Sequence, residues 1–182
     1  MRPARTGYPA PMGTGPVVIG YDGSAAADHA LEEAAALLAP REAVVVTVWE
    51  SGYASTLALS APGAMLPVAA VDVRAAAALD EGFYENARRV ADRGTARARE
   101  LGLRAEAVVV VDQLSVADTL VRVAEDRDSP LLVVGSSEHS TLGDLVLGST
   151  SKRVLKQAPC AVLVGRAPKG DRRPRPAQVR AS

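Results

Sequence analysis

Short runs of consecutive apolar residues alternate along this chain with longer stretches of helical period. Val17-Val18-Ile19-Gly20 is apolar without alternation, as suits a strand buried on both faces of a parallel sheet. It ends at Tyr21-Asp22-Gly23-Ser24, where Ser24 is placed to N-cap a helix over Ala25 to Ala39. That helix carries Ala30, Leu31, Ala34, Leu37 and Leu38 on one face and is followed by Pro40. Ala43 to Trp49 is a second apolar run, and the Gly-, Ser- and Pro-containing segment from Ser51 to Pro67 reads as a long surface loop. From about Val71 to Leu101 the residues are mainly strong helix formers, with Gly102 as a C-cap and with Gly82 and Gly94 as points where the helix can kink or fray. Then follow a strand over Ala105 to Val111, a helix over Ser115 to Asp126, a strand over Pro130 to Val134, a helix from Ser149 to Gln157 and a closing strand, Cys160 to Val164.

Alternating strands and helices imply βαβ units, and right-handed crossovers then give a doubly wound α/β fold: five parallel strands with helices on both faces, Rossmann-like. Ligands of such sheets bind beyond the carboxyl ends of the strands where the winding reverses. Candidate site residues therefore follow strands one and four, provided those two are neighbours.

Composition adds little to that class. The chain has 182 residues, 48% apolar and 23% charged, within the globular range. The formal net charge is zero, with 21 basic and 21 acidic side chains. The balance is a cancellation: Arg2 and Arg5 at one end and Lys169, Arg172, Arg173, Arg175 and Arg180 at the other leave 14 basic against 20 acidic side chains in residues 17–166. An acidic folded part argues against nucleic acid as a partner. Both ends are rich in Pro and Gly and lack apolar period, so residues 1–15 and 167–182 are expected to be disordered tails flanking one domain over 16–166. With one cysteine, Cys160, no signal peptide and no spanning segment, a cytoplasmic protein without membrane contact is expected. Cys160 sits in an apolar strand and reads as a packed residue.

Two stretches could carry chemistry. Gly135-Ser136 leaves strand four, and Gly148-Ser149-Thr150-Ser151 opens the last helix. Both offer N–H groups and hydroxyls to an anion such as phosphate. Equally, Gly135 can serve a turn and Ser149 a cap. Asp22 at the end of strand one can accept from ribose hydroxyls or an exocyclic amine, or form an Asx turn. No P-loop, dinucleotide-binding glycine turn, zinc-spaced cluster or nucleophile elbow is present, and no residue is assigned a catalytic role.

Together these pieces resemble the universal stress protein family over roughly residues 16–166. The resemblance rests on the opening Val17 to Ser24, the second strand ending Thr47-Val48-Trp49-Glu50, the stretch Leu132 to Ser136, Leu147 to Ser151, and Ala158-Pro159-Cys160 into the closing strand. The family's nucleotide signature, Gly, two residues, Gly, nine residues, Gly and Ser or Thr, is met at Gly135, Gly148 and Ser149, with Glu138 in place of the second glycine. The resemblance implies strand order 3-2-1-4-5 and a bound ATP or other adenine nucleotide. Its adenine would lie near Asp22 and Val48 and its phosphates by Gly135, Ser136, Gly148, Ser149, Thr150 and Ser151, with Gly23 and Ser24 also among the binding residues. It also implies a stress-response regulator, at most a slow ATPase, that forms a homodimer through Cys160 to Val164 and has regulatory protein partners. Glu138 puts a negative charge beside the phosphates. Two unit charges about 6 Å apart at an effective dielectric of 20 repel by roughly 3 kcal/mol, which disfavours triphosphate more than adenosine. The alternative is a member that binds no ATP and acts through dimerisation and protein partners.

Overall fold

The computed structural model describes residues 13–50, 73–112, 115–136 and 147–166. The expected long loop over Ser51 to Pro67, the tails over 1–12 and 167–182, and Glu138 with His139 lie outside the described residues. The five strands are β1 (Val17–Gly20), β2 (Glu42–Glu50), β3 (Arg104–Asp112), β4 (Leu131–Gly135) and β5 (Ala161–Gly165). The four helices are α1 (Ala25–Leu38), α2 (Val73–Glu100), α3 (Val116–Asp126) and α4 (Ser149–Gln157). All strand pairs are parallel, in order β3-β2-β1-β4-β5. β1 and β4 are therefore neighbours, and the winding reverses between them.

Alternate residues of each central strand feed two cores. Val17 and Ile19 of β1, Ala43 and Val45 of β2 and Val133 of β4 pack with Ala27, Ala30, Leu31 and Ala34 of α1 and with Val90 and Ala98 of α2. Val18, Val44, Val46, Leu132 and Val134 face the other way, onto Ala117, Leu120, Val121 and Ala124 of α3 and Val154 of α4. Burial on both faces is what the uninterrupted apolar runs require. Cys160 packs against the second core, and burial pushes its thiol pKa up.

Where element ends differ from the sequence reading, the cause is local. α1 stops at Leu38 rather than Ala39: Ala39 is extended at φ −60°, ψ 137°, as a residue preceding proline must be. β4 begins at Leu131 rather than Pro130, since proline has no N–H for the ladder. β2 and β3 pair in register from Glu42↔Arg104 to Glu50↔Asp112, which extends both beyond the apolar runs, and the first pair adds an exposed Arg104–Glu42 contact of 3.8 Å. β5 is Ala161–Gly165 rather than Cys160 to Val164, because its register against β4 runs from Leu131↔Ala161 to Gly135↔Gly165. The helix after β2 is uninterrupted through Gly82 and Gly94. It ends as expected at Gly102, whose φ of +92° lets the N–H groups of Gly102 and Leu103 return to Arg99 and Ala98.

The N-terminal boundary also moves. Thr14 donates its N–H and hydroxyl to Asp128 at 2.9 and 3.1 Å, and Gly15 donates to the Asp128 carbonyl at 2.9 Å. Residues 13–15 are thus docked on the α3–β4 turn instead of belonging to a tail.

The glycines yield a stability test. A Cβ on Gly165 would lie 2.2 Å from Ala30 Cα, whereas one on Gly82 would meet nothing within 4 Å. Gly165→Ala is expected to lower stability in urea unfolding by about 3 kcal/mol or more, through overpacking against backbone. Gly82→Ala is expected to raise it by about 0.5–1 kcal/mol, the helix-propensity gain. Equal effects would contradict the α1–β5 packing.

Candidate functional site

The loop after β1 is held by neighbours on every side. The Tyr21 N–H donates to the Val46 carbonyl at 2.9 Å, and the buried Thr47 hydroxyl donates to the Tyr21 carbonyl at 2.8 Å. Gly23 turns the chain at φ +75°, a region costly to other residues. Asp22 Oδ1 accepts the Ser24 N–H at 2.9 Å, an Asx turn, and Ser24 Oγ accepts the Ala27 N–H at 3.2 Å as the α1 N-cap. Asp22 and Ser24 therefore both carry structural hydrogen bonds. Asp22 is exposed, and its second carboxylate oxygen has no partner among the described residues, so it can still accept from a ligand.

Beneath this turn lies a cluster that sequence reasoning missed. Tyr21 is buried and its hydroxyl donates to Asp28 on α1. Burial first, and then the carboxylate beside it, push the Tyr21 phenol up to about 12, with nearby Arg93 acting in the opposite direction. The Tyr21 ring lies on Gly94 of α2, where a Cβ would come within 2.6 Å of it. The Arg93 guanidinium lies against Gly23, 2.4 Å from where a Cβ would stand. The available signals were a glycine inside a helix of otherwise strong formers and a tyrosine at a strand end; neither points to the other without the fold.

At β4, Gly135 meets the first turn of α1: an added Cβ would sit 2.7–2.8 Å from the backbone of Ala26 and Ala27. Close helix packing is thus one reason for glycine here. The Ser136 N–H donates to the Gly165 carbonyl at 2.8 Å, and its buried hydroxyl has no hydrogen-bond partner among the described residues. Ser151 is also buried and donates its hydroxyl to the Gly135 carbonyl at 2.8 Å, which ties α4 to β4. The candidate phosphate hydroxyl of Ser151 is therefore already used as a donor. Ser149 is exposed and Thr150 half-buried in the first turn of α4, and its cap, Gly148, supplies no side chain, so the N–H groups of that turn are unserved by any cap side chain. Arg153 grips Asp118 of α3 through two bonds, Nε to Oδ1 at 2.9 Å and Nη2 to Oδ2 at 2.8 Å, which fixes the helix from its other side.

Val48 is half-buried at the end of β2 and packs toward the α3 and α4 side. Trp49 points to the opposite face and meets Tyr84 edge-on, with ring centroids 5.9 Å apart. The structure thus brings Asp22, Gly23 and Ser24 next to Gly135 through α1, and joins Gly135 to the start of α4 through Ser151, all beyond the carboxyl ends of β1 and β4. A separate cleft of about 360 Å³ between α3 and α4, lined by Asp118, Arg122, Glu125 and Gln157, contains none of these candidate residues. Among the described residues no His, Cys, Asp and Glu group could hold a metal ion, and no helix is long and apolar enough to cross a membrane.

Comparison with known proteins agrees with this architecture. Over 53 residues the chain is 40% identical to a universal stress protein of Methanocaldococcus jannaschii, a match spanning 29% of this chain and 31% of that protein. A universal stress protein structure from Archaeoglobus fulgidus superposes with TM-score 0.63 at 21% identity, covering 84% of this chain and 98% of that one. A family member from Burkholderia pseudomallei gives 0.59 at 28%, covering 86% and 98%. Further solved structures of this fold include one from Arabidopsis thaliana with AMP, one from Archaeoglobus fulgidus with dAMP and one with cAMP. The model of the universal stress protein family matches residues 13–166, a span that begins at the docked Gly13, and the chain belongs to that family.

Proposed function

We propose that this chain is a cytoplasmic stress-response regulator that binds an adenine nucleotide at the carboxyl ends of β1 and β4. The nucleoside lies toward Asp22, Gly23 and Val48, and the phosphate toward Gly135, Ser136, Gly148, Ser149 and Thr150. It acts by binding rather than by catalysis. The observation that carries the reading is the first turn of α4: a nine-residue helix whose cap has no side chain, with a buried Ser136 hydroxyl, unpartnered among the described residues, just past the strand to which Ser151 ties it. Helix N–H groups without partners favour an anion. Structures of this fold with AMP, dAMP and cAMP support adenine and a single phosphate group; ATP is the finer reading.

Glu138 decides between ligands by its charge. Titration calorimetry of the full chain is expected to show AMP and adenosine binding more tightly than ATP. Glu138→Gly is expected to strengthen ATP by about tenfold to a hundredfold, the range set by a repulsion of up to roughly 3 kcal/mol, and to leave adenosine nearly unchanged. No binding of any of the three up to millimolar concentration would refute the nucleotide reading. It would leave the reading that Glu138 favours, a member acting through protein partners alone.

The same proposal includes a homodimer through β5. This edge strand presents half-buried Val162, Leu163 and Val164 with no charge before Arg166. An apolar edge of that kind invites pairing. Light scattering at micromolar concentration is expected to give twice the 18.8 kDa chain mass, and Ala161→Lys, at an exposed edge position, to shift it toward the monomer.

A further inference from the structure

We propose that Tyr21 is a positioning residue for the nucleoside end of the site, acting through Asp22, with Asp28, Thr47 and Gly94 as its anchors; the role rests on the adenine-nucleotide reading above. Asp22 is exposed, and an exposed carboxylate on a glycine-containing turn is ordinarily free to swing, which wastes binding energy in ordering it. Here the residue before it has none of that freedom. Both main-chain polar groups of Tyr21 are committed to β2, through Val46 and Thr47. Its hydroxyl is committed to Asp28 of α1, and its ring lies flush on the Cα of Gly94 in α2. Three elements thus converge on a single residue.

The residue after Asp22 is covered as well, since the Arg93 guanidinium lies on Gly23, and Asp22 itself is fastened by the Ser24 N–H. The one remaining carboxylate oxygen is therefore an acceptor of fixed direction. A fixed acceptor discriminates between ligands by whether a hydroxyl or amine donor meets it, as a mobile one does not. A purely structural tyrosine would need the ring and its burial. It would not need to fix both sides of the turn that carries the exposed acid.

The test is a double-mutant cycle read by adenosine calorimetry on the full chain. Tyr21→Phe keeps the ring and removes the bond to Asp28; it is expected to weaken adenosine about tenfold. In an Asp22→Asn background, which retains the oxygen that accepts from Ser24, Tyr21→Phe is expected to have no further effect, because the group it positions is already altered. Equal losses in both backgrounds, or no loss in either, overturn the role. Amide exchange at Ser24 in the ligand-free chain provides a second readout: it is expected to quicken in Tyr21→Phe, and unchanged exchange overturns the clamp whatever the affinity does. Should Tyr21→Phe fail to fold, Asp28→Asn is read in the same way. A wild-type chain that binds none of adenosine, AMP and ATP removes the nucleotide reading and this role with it, whereas a chain that binds a nucleotide but not adenosine, or binds adenosine with an additive cycle, removes this role alone.

Discussion

The rim of this sheet depends on how closely α1 lies over the ends of β4 and β5. At Gly135 and Gly165 an added Cβ would stand 2.7 Å or less from the α1 backbone, so helix and strands meet main chain to main chain. The helix contributes its own small residues to that contact, with Ala26, Ala27 and Ala30 facing the two glycines. Close packing of this kind is unforgiving, since no side chain is available to give way. It also fixes where α1 begins, and hence where Ser24 caps it and where Asp22 must turn. The position of the candidate nucleoside acceptor is thereby a consequence of glycines more than a hundred residues away in the chain.

The same contact explains why several residues at this site have two readings that are both correct. Ser24 caps a helix, Asp22 closes an Asx turn, Gly135 admits a helix and Ser151 ties α4 to β4. Each of these is a sufficient structural reason for its residue type. Yet together they place N–H groups without a cap side chain and, among the described residues, a carboxylate oxygen and a buried hydroxyl without partners at one edge, which none of the structural roles requires. A site assembled from residues with first duties to the fold is rigid before any ligand arrives, and rigidity of that kind is what lets weak individual contacts add up.

The fold was legible because both-face burial and helical period write themselves directly into short apolar runs and Ala- and Leu-rich stretches. Strand order followed from the family resemblance, and the adjacency of β1 and β4 agrees with it. Errors gathered where a single backbone atom decides: Ala39 before a proline, Pro130 without its N–H, and the polar ends of β2 and β3, whose pairing is set by a partner strand rather than by their own hydropathy. Thr14 and Gly15 have the composition of a tail, and Asp128, far along the chain, holds them. The Tyr21 cluster was illegible for the same reason. Its three anchors, Thr47, Asp28 and Gly94, come from β2, α1 and α2, and no periodicity connects Gly94 with Tyr21.

The charges of the proposed phosphate end can be weighed against each other. Of the cations on α4, Arg153 is already committed to Asp118 by a two-point bond, so its charge serves the α3–α4 contact before it serves a ligand. What α4 itself offers an anion is its backbone, equivalent to roughly half a positive charge at the helix start, together with the exposed Lys152 in its first turn. Glu138 brings a full negative charge to the signature segment. Each added phosphate adds to the repulsion from that charge. On the proposed reading, binding strength must then come mainly from the nucleoside end, where Asp22 is held fast, and the selective pressure of this site falls on the number of phosphates its ligand carries.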